Sequence, residues 1–181
     1  MAGKTPSEAV QHCLDPLQQA LSCVMREVLS VGGGYYASPA DNLQHRHVLT
    51  ITNSPAVLGR DGRFALKLIQ HYRVVEYEGA RGPWQVSTVA YYYTLAMTAS
   101  PAHEILGYHW HPQGRSAVTY PHLHLYQGAG AVQYNLLKAH LPTGRIALED
   151  ILRLAITHFG IIPLRNDWET MLEQTQGAFQ E

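Results

Sequence analysis

The sequence is poor in cysteine, poor in charge of either sign and free of long apolar runs, and each shortage excludes a class of protein. Charged residues make up only 15% of the chain, and they nearly cancel to a formal net charge of −1. A basic nucleic-acid binder or an acidic disordered tail would show a larger imbalance. No apolar run reaches the length of about eighteen residues that a membrane-spanning helix needs. The N-terminal MAGKTPSEAV also lacks the apolar core of a signal peptide, so we expect a cytoplasmic protein.

The two cysteines give no reason to expect a disulfide. Cys13 and Cys23 lie in one N-terminal segment with a helical pattern, and at that separation on a continuous helix they would be too far apart to bridge. A reducing compartment is the simpler setting. The chain has 181 residues, which suits a single core, so we expect residues 1–181 to form one domain.

The hydrophobic pattern divides the chain into three stretches, of which the first, residues 5–30, has the spacing of an amphipathic helix. Thr5 is a suitable cap, and a proline follows at the first helical position. Asp15 and Pro16 repeat this cap-and-proline pattern inside the segment, so we expect the helix to break or restart there. A glycine triplet that begins at Gly32 is expected to end it.

Residues 44–127 have the composition and the alternation of an antiparallel sheet, with turn residues between runs rich in Val, Ile, Thr and Tyr. The candidate strands are His45–Thr52, Arg63–Glu78, Gln85–Thr98, Glu104–His111 and Thr119–Tyr126. Short links between successive strands favour antiparallel neighbours. Alternation should turn Tyr91 and Tyr93 to one face of the sheet and Tyr92 to the other.

Residues 147–175 return to helical spacing, with acidic residues in the first turn after Leu148 and Gly160 as a stop signal. A short final helix should bury Trp168. Helices at both ends of a sheet-forming stretch predict an α+β fold, in which an antiparallel β-meander sheet is covered on one face by the N-terminal and C-terminal helices. The other face is left free for function.

Two His-x-His pairs are the strongest candidates for a functional site in this sequence: His109 with His111, and His122 with His124. Because side chains alternate along a strand, each pair directs both imidazoles to one face. If the two strands form a hairpin centred between residues 116 and 117, His111 lies opposite His122. Any pairing whose residue numbers add to an odd total keeps all four imidazoles on one face, whereas an even total separates the pairs. Convergence of the four imidazoles therefore depends on register.

Three interpretations of the four histidines stay open. They can be ligands of a divalent metal such as Zn²⁺. A cupin-type site is excluded, because no glutamate follows His111 within four residues. They can instead be a metal-free acid–base pair acting on a phosphodiester, with Arg115 or Arg46 near the phosphate. The third interpretation is that they are polar-face residues packed among tyrosines without any chemistry.

The chain also resembles a known family in three runs: EILGYH at Glu104–His109, YPHLH at Tyr120–His124, and ALEDIL at Ala147–Leu152. These runs are similar to elements of the TumE family of small bacterial toxins from toxin–antitoxin pairs. The similarity covers about residues 64–155. Within it, Gly107 and His109 stand where the family pattern has arginine and aspartate.

The resemblance implies a toxin-like role that acts on RNA or on translation, with a cognate antitoxin as partner. Together with the histidines it predicts a TumE-like toxin or nuclease-like enzyme that acts on RNA or another phosphodiester. The expected catalytic residues are His109, His111, His122, His124 and Arg115, with ribonuclease-like chemistry. The competing expectation is a non-catalytic α+β module that binds a partner protein or a metal through the same face. A second copy of the chain could pair with a free sheet edge, so a homodimer is also expected.

Overall fold

The computed structural model describes residues 2–32, 45–79, 81–99, 103–113, 116–130 and 134–180. The described strands are β1 Ala2–Gly3, β2 Leu29–Gly32, β3 His47–Ile51, β4 Ala56–Leu58, β5 Phe64–Glu76, β6 Trp84–Met97, β7 His103–Trp110, β8 His122–Leu125 and β9 Leu141–Pro142. The described α-helices are α1 Pro6–Leu21, α2 Tyr134–Leu137, α3 Leu148–Thr157 and α4 Trp168–Gln180.

All described strands belong to one antiparallel sheet, in the order β2-β3-β5-β6-β7-β8-β9, with β1 beside β6 and β4 beside β5. Strands that are adjacent in the sheet are mostly consecutive in the sequence, because short links join antiparallel neighbours. The long strands β5 and β6 pair along nearly their whole length and form the centre of the sheet. The prediction of an α+β fold built on an antiparallel meander is confirmed.

The helices cover the face of the sheet to which Tyr91 and Tyr93 point. Both tyrosines are buried, with rings stacked 4.8 Å apart between centroids. Helix α1 packs on β5 and β6, and α3 and α4 pack on α1. Leu17 and Leu152 are buried in this layer. The opposite face carries Tyr92 and the two His-x-His pairs, so it is the face available for function.

Helix α1 is shorter than the predicted residues 5–30. It begins as expected, with the Thr5 hydroxyl accepting from the Glu8 backbone N–H at 3.1 Å, but it ends at Leu21. Val24 and Met25 are still buried although they lie beyond the helix. The chain from Leu29 to Gly32 instead forms β2 and pairs with β3. Pairing with β3 satisfies the backbone hydrogen bonds of Leu29–Gly32, which the predicted helix would have satisfied internally.

The expected break at Pro16 is wrong, because α1 continues through this proline without interruption. A proline inside a helix loses one backbone hydrogen bond. Leu17, Ala20 and Leu21 are buried immediately after it, and tertiary packing of an apolar helix face outweighs such a local loss. The predicted stop at the glycine triplet is wrong at Gly32, which belongs to β2. The other two glycines, Gly33 and Gly34, lie outside the described residues.

The C-terminal prediction agrees better with the structure. Helix α3 ends at Thr157, and Gly160 has a φ of 67°, a left-handed conformation that suits glycine after a helix. Trp168 begins α4 and is packed against the core. Within the described residues, no helix combines the length and the apolar character needed to cross a membrane.

Candidate metal centre

The two His-x-His pairs lie on one face of the sheet, because β7 and β8 pair with His109 directly opposite His122. This register differs by two residues from the predicted hairpin, which placed His111 opposite His122. A shift of two preserves the face. Strand β7 ends at Trp110 and β8 begins at His122, so the two strands are not joined by a two-residue turn. The register instead places His124 opposite Gly107.

Three imidazoles of this face form a first group, His109, His111 and His122, which we call the first triad. One ring nitrogen of each lies within 4.8 Å of one ring nitrogen of each of the others. Zinc–nitrogen bonds of about 2.1 Å in a tetrahedral site place ligand atoms about 3.4 Å apart. Small side-chain rotations would therefore close the triad around one ion.

A second triad shares His122 with the first and adds His124 and His140, again with ring nitrogens within 4.8 Å of one another. The ring centroids of His124 and His140 are 4.6 Å apart. No sequence pattern places His140 at this site. It precedes β9, whose two residues pair with β8, and a strand of two residues has no recognisable sequence pattern.

His122 is the centre of both triads and is completely buried, with 0% of its surface exposed. Its Nδ1 lies 2.9 Å from the carbonyl oxygen of Tyr120, so this nitrogen carries the proton and donates it. Its Nε2 is buried and has no hydrogen-bond partner within the part of the chain that the structure describes. A histidine that binds a metal typically donates its other ring N–H to a carbonyl in this way. Since His122 offers a single free nitrogen, the two triads cannot each hold an ion at once.

The cluster favours uncharged imidazoles. Burial, followed by the neighbouring imidazoles of His124 and His122, lowers the pKa of His109 to about 3. Burial and the same kind of neighbours lower the pKa of His124 to about 4. Burial also lowers the pKa of His122, although its bond to Tyr120 opposes this shift. At neutral pH these three rings are therefore neutral, which is the form that binds metals.

Aromatic side chains and one glycine hold the cluster in place. Tyr92 contacts His109 edge-on at 5.2 Å and stacks on His111 at 5.6 Å between ring centroids. Tyr126 stacks on His124 at 6.1 Å. A Cβ added to Gly107 would lie 3.0 Å from Nε2 of His109 and 3.1 Å from the Tyr126 hydroxyl. The glycine therefore leaves the space that the His109 ring occupies.

The two predicted arginines, Arg115 and Arg46, and two further histidines, His47 and His71, are not among the imidazoles of the two triads. Arg115, expected near a phosphate, is not among the described residues. His47 is buried on the helix-covered side, where it stacks on Tyr72 at 5.1 Å. His71 contacts Tyr92 edge-on at 6.3 Å and so borders the cluster. Burial lowers the pKa of His71, and the charge of the exposed Arg46 lowers it further.

Comparison of the chain with protein-family models, with curated proteins and with solved structures finds no match.

Proposed function

We propose that this protein is a metalloenzyme in which His109, His111 and His122 hold a divalent ion such as Zn²⁺ and act on a phosphodiester. The main support for a bound metal is Nε2 of His122, which is buried and has no hydrogen-bond partner among the described residues. The ring is fixed by the hydrogen bond from its Nδ1 to the Tyr120 carbonyl. A buried polar atom without a partner costs free energy. A metal ion bound to this nitrogen would remove that cost.

Zinc suits this donor set better than magnesium or calcium. Imidazole nitrogen is a preferred ligand of Zn²⁺, whereas the two hard cations take oxygen ligands. Neither triad contains a carboxylate. Three imidazoles leave coordination positions open, which distinguishes catalytic zinc sites from closed structural ones.

A row of basic side chains on the same face supports an anionic substrate. On β5, Lys67, His71 and Arg73 alternate with buried residues and therefore share the histidine face. The β3–β5 register, continued by one residue, places Arg46 opposite Arg73. Like charges opposite each other in a sheet are unfavourable. A phosphate bound between the two arginines would offset their repulsion.

The chemistry of such a site is hydrolysis at phosphorus. His109, His111 and His122 would hold the ion, and its open positions would supply a bound phosphate oxygen and a water molecule of increased acidity. The exposed His140, whose ring lies 5.0 Å from that of His122, would accept a proton from the attacking water. As the water oxygen bonds to phosphorus, the bond to the leaving oxygen would break, and the leaving oxygen would take a proton from solvent.

RNA is the phosphodiester that the TumE resemblance favours, with a cognate antitoxin protein as partner. Tyr120 adds a structural reason, since it is 44% exposed and its ring lies 6.0 Å from that of His122. Exposed aromatic rings next to a phosphate site are used to stack nucleic-acid bases.

The metal is tested on the full chain purified without a histidine tag, by measuring its zinc content. We expect about one zinc ion per chain, the stoichiometry of a single imidazole site. His111→Ala should lose the ion, because it removes a half-buried ligand. His158→Ala is the matched control, since His158 is exposed at the end of α3. Less than about a tenth of an ion per unmodified chain would exclude the metal centre.

The activity is tested by expressing the protein in a bacterium and by incubating the zinc-loaded protein with RNA. We expect growth arrest and RNA cleavage, both lost in the His122→Ala and His124→Ala double variant and retained in His158→Ala. Stoichiometric zinc with normal growth and intact RNA would contradict the enzyme. That result would favour the alternative, a module that binds a metal or a partner protein without catalysis.

A further inference from the structure

A second site lies on the other side of the sheet from the histidines. An open cleft of about 490 Å³ is lined by α1, the central strands and the start of α3. Its lining includes side chains of opposite charge, Glu149 and Arg145, together with the aromatic rings of Tyr91, Tyr93 and Trp110. Trp110 separates His109 from His111 in sequence and so points away from the metal centre. The cavity and the first triad therefore face opposite sides of the sheet.

Glu149 is the unusual member of this lining. The residue is completely buried, and neither carboxylate oxygen has a hydrogen-bond partner in the described ranges. The Thr175 hydroxyl donates to the carbonyl oxygen of Leu172 at 3.3 Å. Burial raises the pKa of Glu149, and the backbone N–H of Glu149 and the nearby Thr175 hydroxyl oppose part of this rise. A buried carboxylate without a partner is costly unless a cation or a hydrogen-bond donor reaches it.

Arg145 supplies the opposite charge at another part of the cavity. Its guanidinium lies 3.7 Å above the ring of Trp110, a cation–π contact that fixes the group while leaving its N–H edge available. Within the described part of the chain it makes no ion pair with Glu149 or with another carboxylate. Burial raises the pKa of Tyr91, and the nearby charge of Arg145 counteracts part of that rise.

The polar groups that line the same cavity are already ordered by hydrogen bonds. The Tyr93 hydroxyl donates to Oε1 of Gln70 at 2.7 Å, and Nε2 of Gln70 donates to the Thr88 hydroxyl at 2.9 Å. The Tyr91 hydroxyl accepts the backbone N–H of Ile146 at 3.0 Å. Among the charges that act on Tyr93 is Glu149, whereas Arg145 acts on Tyr91. Each charge therefore acts on one ring of the same stacked pair.

We propose that this cavity binds a small zwitterion of the free amino acid type, with its ammonium group on Glu149 and its carboxylate on Arg145. Each charge of the ligand would find the opposite charge in the lining, and charge-assisted hydrogen bonds of this kind are the strong ones. The cavity volume lies within the range typical of small-molecule sites. An anion alone would meet the Glu149 carboxylate, and a cation alone would leave Arg145 without a counter-charge.

Covalent chemistry at this site is not part of the proposal. Cys13 also lines the cavity, but burial raises the pKa of its thiol to about 12. The thiolate is the reactive form of cysteine, so at neutral pH Cys13 contributes an apolar wall rather than a nucleophile. The site binds its ligand without transforming it.

The test uses the full chain without a tag and the free proteinogenic amino acids as probes, first by thermal unfolding and then by calorimetry. We expect at least one amino acid to raise the unfolding temperature and to bind saturably, because a ligand that binds only the folded state stabilises it. The matched probes are n-butylamine and butyrate, which carry one charge each, and both should bind at least about tenfold more weakly.

Three variants test which residues hold the ligand. Glu149→Gln and Arg145→Gln should each weaken binding about tenfold or more, since each removes one charge-assisted contact. Arg145 is exposed, so its variant serves even where Glu149→Gln disturbs folding. Glu173→Gln, an exposed position on α4, should bind like the parent chain. The proposal is overturned by a protein that binds no amino acid, by equal binding of n-butylamine, or by variants that bind unchanged. None of these results bears on the zinc content of the histidine face.

Discussion

Gly107 leaves space for the His109 ring in the proposed metal centre, because glycine has no side chain. Gly107→Ala would place a methyl group 3.0 Å from Nε2 of His109, which is closer than ordinary van der Waals contact. The flexible His109 ring can move more easily than the backbone, so the ligand is displaced and the fold is kept. We expect zinc affinity to fall by about tenfold, a loss typical of changes that misplace a ligand.

The measurement for Gly107→Ala is a competition titration of zinc against a chromophoric chelator. Gly144→Ala is the control, since a Cβ there would meet nothing within 4 Å. Equal zinc affinity in the parent chain and in Gly107→Ala would show that the His109 ring does not depend on this space. A loss of the same size in both glycine variants would count against a specific effect.

Within helix α1, Pro16 interrupts the backbone hydrogen bonding without ending the helix. Pro16→Ala restores a backbone N–H that can bond to the carbonyl of His12 one turn earlier. Proline inside a helix costs up to ~3 kcal/mol relative to alanine, and part of this is offset by the greater freedom that alanine gives the unfolded chain. We expect the free energy of unfolding to rise by about 1–2 kcal/mol.

Urea unfolding followed by circular dichroism measures the effect of Pro16→Ala. Gln19→Ala, at an exposed position of the same helix, should change the free energy of unfolding by only a few tenths of a kcal/mol, about the propensity difference. A destabilised Pro16→Ala protein would mean that the proline ring itself packs in a way that alanine cannot replace.

The same elements show how far the sequence leads. Period-two alternation was sufficient to predict β5 and β6 and to assign Tyr91 and Tyr92 to opposite faces, because both faces of these long strands have a consistent pattern. Helical spacing was not sufficient to predict the end of α1. Val24 and Met25 continue that spacing and are buried, but they lie in a non-helical segment after the helix. Apolar spacing reports burial, and burial does not require a helix.

The candidate site was predictable in its face but not in its membership. Two His-x-His pairs on neighbouring strands could only lie on the same face or on opposite ones, so one property of the register decided the outcome. Which three imidazoles converge depends on the two-residue shift that sets His109 opposite His122. His140 joins through β9, a contact between residues distant in sequence, and no local pattern encodes it. In the sequence, Glu149 follows the pattern of an acidic residue in the first turn of a helix. The cavity that it lines is formed by residues distant in sequence, so no local pattern indicates it.

At the scale of the whole molecule, the histidines couple stability to pH. In the metal-free folded protein the pKa of His109 is about 3 and that of His124 about 4, against 6.5 for an unperturbed histidine. Below pH 6.5 the unfolded chain therefore binds protons that the folded chain does not. The stability contributed by neutral imidazoles is complete above pH 6.5 and is lost as the pH falls toward the folded-state values. Glu149 acts in the opposite direction, because burial raises its pKa.

We expect the free energy of unfolding of the metal-free protein to decrease steadily between about pH 6.5 and about pH 4, since several histidines with lowered pKa outweigh one glutamic acid. Urea titrations across this range measure the slope. In His109→Gln the slope should be shallower, because one imidazole that resists protonation is gone. His158→Gln, at an exposed position outside the cluster, is the control for loss of a histidine. Zinc should raise the stability of the parent chain at neutral pH and progressively less in acid, as protons displace the ion from its imidazole ligands. A free energy that stays level over the range in the metal-free protein would contradict the neutral, buried state of the cluster on which the metal centre depends.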